Sequence, residues 1–291
     1  MLLGCRKLLG IMALNRPVMP VQRHSSAFWS NPVAHLDTVP RLAVLLLNAP
    51  YASWRVTQDG AVGTRPSELF WNLWSSAQLT VCADGGANRL FDRSMEIGAQ
   101  ETVKPPKYVK GDLDSLRSDV HEYYEAKGTT VIKDLDQNSN DMEKCLQLIL
   151  QEQEAHRQKT GRDERFSVMV VGAMGGRFDQ EMQSINMLFK WQHKFQQMVL
   201  LSDETTARLL EPGVRHVIDP NFAFEGRTCG LIPVAGACKE VTTAGLKWNL
   251  TPGMETGFGG LISSSNHVDD AGEQVEVVTS HPLIWTTELK K

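Results

Sequence analysis

Several features are scarce in this chain, and each scarcity excludes something. No apolar run approaches the roughly 18–20 residues that a membrane-spanning helix needs. The longest, such as Leu42–Leu47 and Val168–Val171, have the length of strands. The five cysteines, Cys5, Cys82, Cys145, Cys229 and Cys238, are odd in number, scattered and without a Cys-x-x-Cys pair. That argues against a disulfide framework or a zinc site and fits a reducing compartment. The histidines are dispersed and outline no metal centre. Positive charge is not in excess: 30 Lys and Arg stand against 34 Asp and Glu, a formal charge of −4. A nucleic-acid binder normally shows a basic patch or stripe, so neither nucleic acid nor membrane is expected as a partner. The chain has no internal repeat, no low-complexity tract, no Walker A loop and no G-x-G-x-x-G turn, so the standard P-loop and dinucleotide readings fail. No Ser or Cys sits in a nucleophile-elbow context, which leaves covalent hydrolase chemistry unsupported.

What is present is an ordinary soluble composition, 42% apolar and 22% charged over 291 residues. That is enough for two domains or one large one with a sizeable core. Charge is unevenly spread. Residues 1–36 hold Arg6, Lys7, Arg16 and Arg23 but no Asp or Glu; taking those four from 30 leaves 26 basic against 34 acidic residues in 37–291. An acid-free, Arg-bearing leader reads as a mitochondrial transit peptide, or as a disordered extension with Met12 and Met19 as alternative starts.

From residue 41 to 204 the pattern alternates. Strands are expected at Leu42–Leu47, Leu79–Ala83, Lys107–Lys110, Thr129–Lys133, Phe166–Val171 and Met198–Leu201. Helices are expected from Ser67 to Ser75, after Gly86, over Ser118–Lys127, over Asp141–Gln153 and up to about Gln192, with Tyr51–Pro66 a loop and Ala155–Glu164 an exposed connection. Strands alternating with helices predict a mainly parallel sheet with helices on both faces, a Rossmann-like three-layer α/β domain. From 205 to 291 the runs shorten: Ala207–Leu210, Arg215–Val217, Thr228–Pro233, Glu240–Thr243, Leu246–Leu250, Gly260–Ser264, Gln274–Thr279 and Leu283–Thr287. With turn residues between them and no long helix, they predict an all-β sandwich or small barrel. Residues 1–40 fall outside both units.

The chemistry concentrates where the parallel strands end. Asp84 follows the second strand, Asp112 and Asp114 the third, Asp134, Asp136 and Asp141 the fourth, and Asp179 the fifth. In an open α/β sheet all of these lie on the carboxyl edge, where ligands bind. Gathered carboxylates repel one another unless a cation neutralises them, and oxygen donors without His or Cys favour Mg²⁺, which usually completes its shell with phosphate oxygens and water. Gly175-Gly176-Arg177 after a strand offers backbone N–H groups and a guanidinium to phosphate. Taken singly, Asp84-Gly85-Gly86 is most often a turn, and Asp112 or Asp114 a helix cap. Trp248 is by default filler, or else a ring offered to a flat or cationic ligand; Ser263-Ser264-Ser265-Asn266 is a hairpin end or a ligand contact. The recurrence of acidic turns after successive strands is the stronger signal.

These residues carry a resemblance. Cys82-Ala-Asp-Gly-Gly-Ala-Asn-Arg-Leu90, Gly111-Asp-Leu-Asp-Ser115, Asp136-Gln137 with Asn140-Asp141, Gly175-Gly-Arg-Phe-Asp-Gln180, Cys229–Val234, Thr242–Leu250, Ser263–Asn266 and His281–Trp285 match, in order and spacing, the eukaryotic thiamine pyrophosphokinase family. The chain resembles it from about Leu42 to Trp285. The resemblance implies an α/β catalytic domain, a thiamine-binding and dimerising β-sandwich, and a homodimer with active sites between subunits. It also implies transfer of the pyrophosphoryl group of ATP to the hydroxyl of thiamine, giving thiamine diphosphate and AMP. On that basis Asp112, Asp114 and Asp179 are expected to hold Mg²⁺ and the triphosphate. Asp141 is expected to assist the hydroxyl or hold a second ion, and Arg177 to neutralise phosphate. Asp84, Gly85, Gly86, Asn88, Arg89, Gly175 and Gly176 are expected at the nucleotide. Gln137, Asp141, Trp248, Asn249, Ser265 and Asn266 are expected at thiamine, with Trp248 donated by the partner subunit. Two departures from the family are Asn140, where Thr is common, and a longer 51–66 loop. The competing readings are another Mg²⁺-dependent phosphotransferase or phosphohydrolase and a non-catalytic thiamine- or nucleotide-binding module. The family implies the cytosol, whereas residues 1–36 imply mitochondrial import of the long form.

Overall fold

Side-chain alternation along the strands determines the layers. The computed structural model describes residues 19–26, 29, 41–49, 65–272 and 274–290. After a first strand, β1 (Val21–Ser25), come β2 (Arg41–Leu46), α1 (Arg65–Ser76), β3 (Leu79–Ala83), α2 (Gly86–Glu96), β4 (Tyr108–Gly111), α3 (Ser118–Ala126) and β5 (Thr130–Lys133). Then follow α4 (Asp141–Thr160), β6 (Phe166–Val171), α5 (Phe178–Trp191) and β7 (Gln197–Leu201). Successive side chains of a strand point to opposite faces. Leu42, Val44 and Leu46 of β2 therefore pack with Leu69, Phe70, Leu73 and Trp74 of α1, Leu90 of α2 and Val120 and Tyr124 of α3. Ala43 and Leu45 pack on the other face with Cys145, Leu146 and Ile149 of α4 and Met187 and Leu188 of α5. The result is the expected three-layer unit, with β5, β4, β3, β2, β6 and β7 parallel in that order. Strand order reverses between β2 and β6, and this switch point opens a crevice beyond their carboxyl ends.

The β half is also as expected in class: β8 (Thr205–Leu210), β9 (Arg215–Asp219), β10 (Glu225–Ile232), β11 (Val241–Ala244), β12 (Ser263–His267), β13 (Val275–Thr279) and β14 (Leu283–Leu289). Two sheets enclose a core that includes Leu210, Ile218, Leu231, Val241, Val277 and Trp285. One of these sheets is not separate. β8 pairs antiparallel with β7, so β8, β14, β10 and β12 extend the parallel sheet to ten strands. The other holds β1, β9, β13 and β11.

Four local expectations are corrected. Residues 1–40, expected outside the fold, contribute β1, which pairs in parallel with β9 from Val21↔Arg215 to Ser25↔Asp219. His24, Ser26 and Trp29 are buried there. Residues 1–18, 27–28 and 30–40 and the 51–64 part of the expected loop lie outside the described residues. Helix α4 runs on to Thr160, through the stretch expected as a connection, and stops at Gly161 in the left-handed region (φ 71°), a common helix terminator. Leu246–Leu250 is a turn rather than a strand, held by Asn249, whose side chain accepts from the Leu246 N–H (3.1 Å) and donates to its carbonyl (2.8 Å). The strand expected at Gly260–Ser264 forms at Ser263–His267. Among the described residues Cys82, Cys145, Cys229 and Cys238 are free and buried, and no helix is long and apolar enough to cross a membrane.

Candidate active site

A cleft of about 550 Å³ occupies the switch point. Leu47, Asn48 and Ala49 line it after β2, Asp112 after β4, Asp136, Gln137, Ser139 and Asn140 after β5, and Gly172, Ala173, Met174, Gly176 and Arg177 after β6. Asp141 and Lys144 from α4, with Gln180 and Glu181 from α5, complete its wall. Close backbone approach makes this geometry possible. A Cβ on Gly86 would lie 2.5 Å from the Leu46 carbonyl oxygen, and one on Gly111 2.8 Å from Asp84 Cβ and 3.2 Å from Asp141 Oδ1.

Asp84, Asp112 and Asp141 converge, each offering a carboxylate oxygen within 4.8 Å of the others. Asp84 sits in the left-handed region (φ 43°). Its amide donates to the Lys110 carbonyl (3.0 Å), and its Oδ2 accepts from the Ser115 N–H (3.2 Å). Its Oδ1 is buried without a protein partner. Burial pushes the Asp84 carboxyl above the usual carboxylate range, and the neighbouring Asp141 adds to that. Burial likewise raises Asp141; the Asp112 and Asp114 charges add to the rise, and Lys144 opposes it. Lys144 is itself buried and places Nζ 3.4 Å from Asp141 Oδ1. An orphaned carboxylate oxygen among three hard oxygen donors fits a small divalent cation such as Mg²⁺. Among the described residues this is the cluster able to hold one.

The cluster is not the trio expected from the sequence. Asp112 belongs to it, but Asp114 and Asp179 do not, whereas Asp84 and Asp141 do. Asp114 is engaged by its own turn: its amide donates to Asp112 Oδ1 (3.2 Å), and its Oδ1 accepts from Ser115 Oγ (3.0 Å). Asp179, exposed in the first turn of α5, is paired with Arg177 at 2.6 Å, and that guanidinium holds its carboxyl below the usual range. Asn88 ties the two acidic turns together, donating to the Ser115 carbonyl (2.7 Å) and accepting from the Arg117 N–H (3.1 Å). Arg89 Nε donates to Asn48 Oδ1 (3.0 Å). Asn88 and Arg89 thus hold the shape of the rim, and neither they nor Gly85 and Gly86 line the cleft. Asn140 caps α4, its Oδ1 accepting from the Glu143 N–H at 2.8 Å, a role that Thr also fills.

The residues expected at thiamine divide between two places. Gln137 and Asp141 line the cleft; Trp248, Asn249, Ser265 and Asn266 do not line it in their own chain. Trp248 is 57% exposed, with Lys247 Nζ 4.9 Å from its ring centre. Asn266 fixes the Trp248 backbone, accepting from its N–H (3.4 Å) and donating to its carbonyl (2.9 Å). Ser265, at φ 53°, lines a second hollow of about 370 Å³ between β8, β10, β12 and β14. Sequence reasoning missed Lys144 and Lys110. Lys144 was findable from its i+3 spacing to Asp141 on one helix. Lys110 Nζ pairs with Asp134 at 3.0 Å and keeps that carboxyl ionised below the usual range, a contact across strands that no local spacing reveals.

Comparison with known proteins gives a consistent result. The family description "Thiamin pyrophosphokinase, catalytic domain" matches residues 70–200, and "Thiamin pyrophosphokinase, vitamin B1 binding domain" matches 215–284. Thiamine pyrophosphokinase 1 of Arabidopsis thaliana is 35% identical over 280 residues, covering 94% of this chain and 95% of the relative. Thiamine pyrophosphokinase 1 of Oryza sativa subsp. japonica is 39% identical over 226 residues, 75% of this chain and 81% of the relative. The crystal structure of yeast thiamin pyrophosphokinase superposes with a TM-score of 0.75 at 26% identity, covering 94% of this chain and 93% of that one.

Proposed function

The chain belongs to the thiamine pyrophosphokinase family, and from that premise we propose how its residues divide the work of moving a pyrophosphoryl group from ATP to the hydroxyl of thiamine. The observation that carries the reading is the convergence of the buried Asp84, its Oδ1 unpartnered, with Asp112 and Asp141, which line the switch-point cleft. In this reading those three carboxylates would hold Mg²⁺, which would supply positive charge to the triphosphate. The thiamine hydroxyl oxygen bonds to the β-phosphorus as the bond from that phosphorus to the AMP oxygen breaks, so that AMP leaves. The protein contributes positioning and electrostatic stabilisation rather than covalent chemistry. Arg177 and the amides of Gly175 and Gly176 take up phosphate charge across the cleft from the carboxylates. Lys144, beside Asp141, offsets the negative charge that three carboxylates would otherwise concentrate. Gln137, on the β5 side of the cleft, reads the aminopyrimidine.

Trp248 supports a two-chain site. A large ring left more than half exposed, outside the cleft of its own chain, is suited to cover the cleft of a second copy. There it would offer an aromatic face to the cationic thiazolium. The reading is tested by incubating the purified protein with ATP, Mg²⁺ and thiamine while AMP and thiamine diphosphate are measured together. Equal yields that require both Mg²⁺ and thiamine are expected. AMP formed without thiamine would replace the kinase by a phosphohydrolase; binding of either substrate without product would leave a binding module.

A further inference from the structure

The groups beside the cleft best suited to bind phosphate, in the turn before α5, are already bound to carboxylates of that helix. The amides of Gly175 and Gly176 both donate to a single oxygen, Glu181 Oε1, each at 2.9 Å. The Arg177 guanidinium is held in a fork by Asp179, with Nε to Oδ1 at 3.1 Å and Nη2 to Oδ2 at 2.6 Å. Glu181 lines the cleft beside Gly176 and Arg177. Two consecutive amides converging on one anionic oxygen is the arrangement that a phosphate oxygen takes at such a turn. A triphosphate and the Glu181 carboxylate are both anions, so they cannot share those amides, and each raises the cost of bringing the other near.

We propose that Glu181 is an internal competitor for phosphate: it occupies the Gly175–Gly176 amides while the nucleotide is absent, is displaced when the triphosphate enters, and so sets the affinity for ATP. It is a positioning residue, acting through the amides rather than on the reacting atoms. The inference rests on the kinase reading above and deepens it, because it names the anion that ATP must displace. The alternative is that Glu181 only braces the turn, in which case any weakening of its contacts loosens the phosphate site.

The two are separated by Glu181→Gln, which keeps an oxygen able to accept from both amides but removes the charge. The probes are Mg²⁺ with α,β-methylene-ATP, an analogue that cannot be cleaved at the reacting bond, and Mg²⁺ with inorganic pyrophosphate. Each is titrated calorimetrically without thiamine, beside steady-state kcat and KM for both substrates. Charge-assisted hydrogen bonds are about twice as strong as neutral ones. Glu181→Gln should therefore tighten both probes and lower KM for ATP about fivefold, equivalent to ~1 kcal/mol, with KM for thiamine unmoved. Unchanged or weaker binding in Glu181→Gln, while the wild type binds both probes, would overturn the competitor and leave the kinase reading standing. A wild type that binds neither probe and forms no AMP would overturn both.

Discussion

Replacing Asp84 by Asn distinguishes the carboxylate cluster seen in the structure from the trio expected from the sequence. One carboxylate oxygen from each of Asp84, Asp112 and Asp141 lies within 4.8 Å of the others. Two unit charges at that separation repel by roughly 1 kcal/mol in water and about 3.5 kcal/mol at an effective dielectric of 20. Asp84 Oδ1 has no protein partner to lose, and the Asn oxygen can still accept from the Ser115 N–H in place of Oδ2. The substitution therefore removes repulsion at little hydrogen-bonding cost. In EDTA, Asp84→Asn should be more stable than the wild type by ~1–2 kcal/mol, or about 2–6 °C in Tm. Added Mg²⁺ should raise the Tm of the wild type and leave that of the variant where it was, because ligand that binds only the folded state stabilises it by mass action. Turnover should fall on the order of 10²–10³-fold. Asp179→Asn, by contrast, breaks only an exposed ion pair with Arg177 and should keep the Mg²⁺-dependent shift in Tm. The assay is thermal unfolding of the three proteins with and without Mg²⁺. If the shift survives in Asp84→Asn and disappears in Asp179→Asn, the cation site has been assigned to the wrong carboxylates.

Trp248→Ala should raise KM for thiamine at least tenfold and leave KM for ATP within twofold, on the order of the worth of a desolvated cation–aromatic contact; equal effects on both substrates would return Trp248 to packing. The buried pair His24 and His216, 2.9 Å apart, should make the β half acid-sensitive. Burial pushes both imidazoles below their usual range, and Arg208 adds to the effect on His24. The unfolded chain therefore takes up protons first, and stability present above about pH 6.5 is lost as pH falls below it, by up to ~1.4 kcal/mol per pH unit for each histidine. Denaturant titrations between pH 7.5 and 5 should show this slope in the wild type and about half of it in His24→Phe. A chain that begins at Asn31 should unfold at least ~3 kcal/mol more easily than one that begins at Met19, since it lacks β1 and the buried Trp29; equal denaturation midpoints would show that β1 is an ornament on the sandwich.

The fold class was legible because its determinants are local. Phe166–Val171 and Leu79–Ala83 are apolar runs bounded by turn residues, and the strands form at those bounds. Strand β1 was missed for the opposite reason. Nothing in Val21-Gln22-Arg23-His24-Ser25 marks a strand, since its polar residues alternate with no apolar face. It pairs because β9 presents an open edge and because its side chains meet partners far along the chain: His24 meets His216, and Ser26 accepts from the Arg208 guanidinium. Arg208 is fully buried, so its charge depends on Glu225 and on this docked segment. An acid-free, Arg-bearing composition describes the leader's overall charge and is blind to such contacts. The same limit applies to the acidic cluster. Spacing identified the acidic turns, but which carboxylates converge depends on how close β3, β4 and α4 come at Gly111.

The sheet's reversal accounts for why one edge can present both a cluster of carboxylates and a set of anion-binding donors. Going outward from β2, the turns after β3 and β4 and the start of α4 carry the acidic cluster of Asp84, Asp112 and Asp141. On the other side of the reversal, the turn after β6 presents Gly175, Gly176 and Arg177, all donors. A sheet wound in one direction only would place these turns side by side along one edge. Reversal between β2 and β6 instead sets them facing across a crevice, with cation-seeking oxygens on one wall and anion-seeking N–H groups on the other. A triphosphate neutralised by a divalent cation has the matching polarity. The β half needs no charge in this cleft, and its exposed Trp248 lies outside it. On the proposed two-chain reading, Trp248 of another copy supplies the aromatic surface for the organic substrate. That reading predicts that dilution below the dimer's dissociation constant abolishes turnover while each α/β unit still binds nucleotide; turnover that persists undiminished on dilution would refute it.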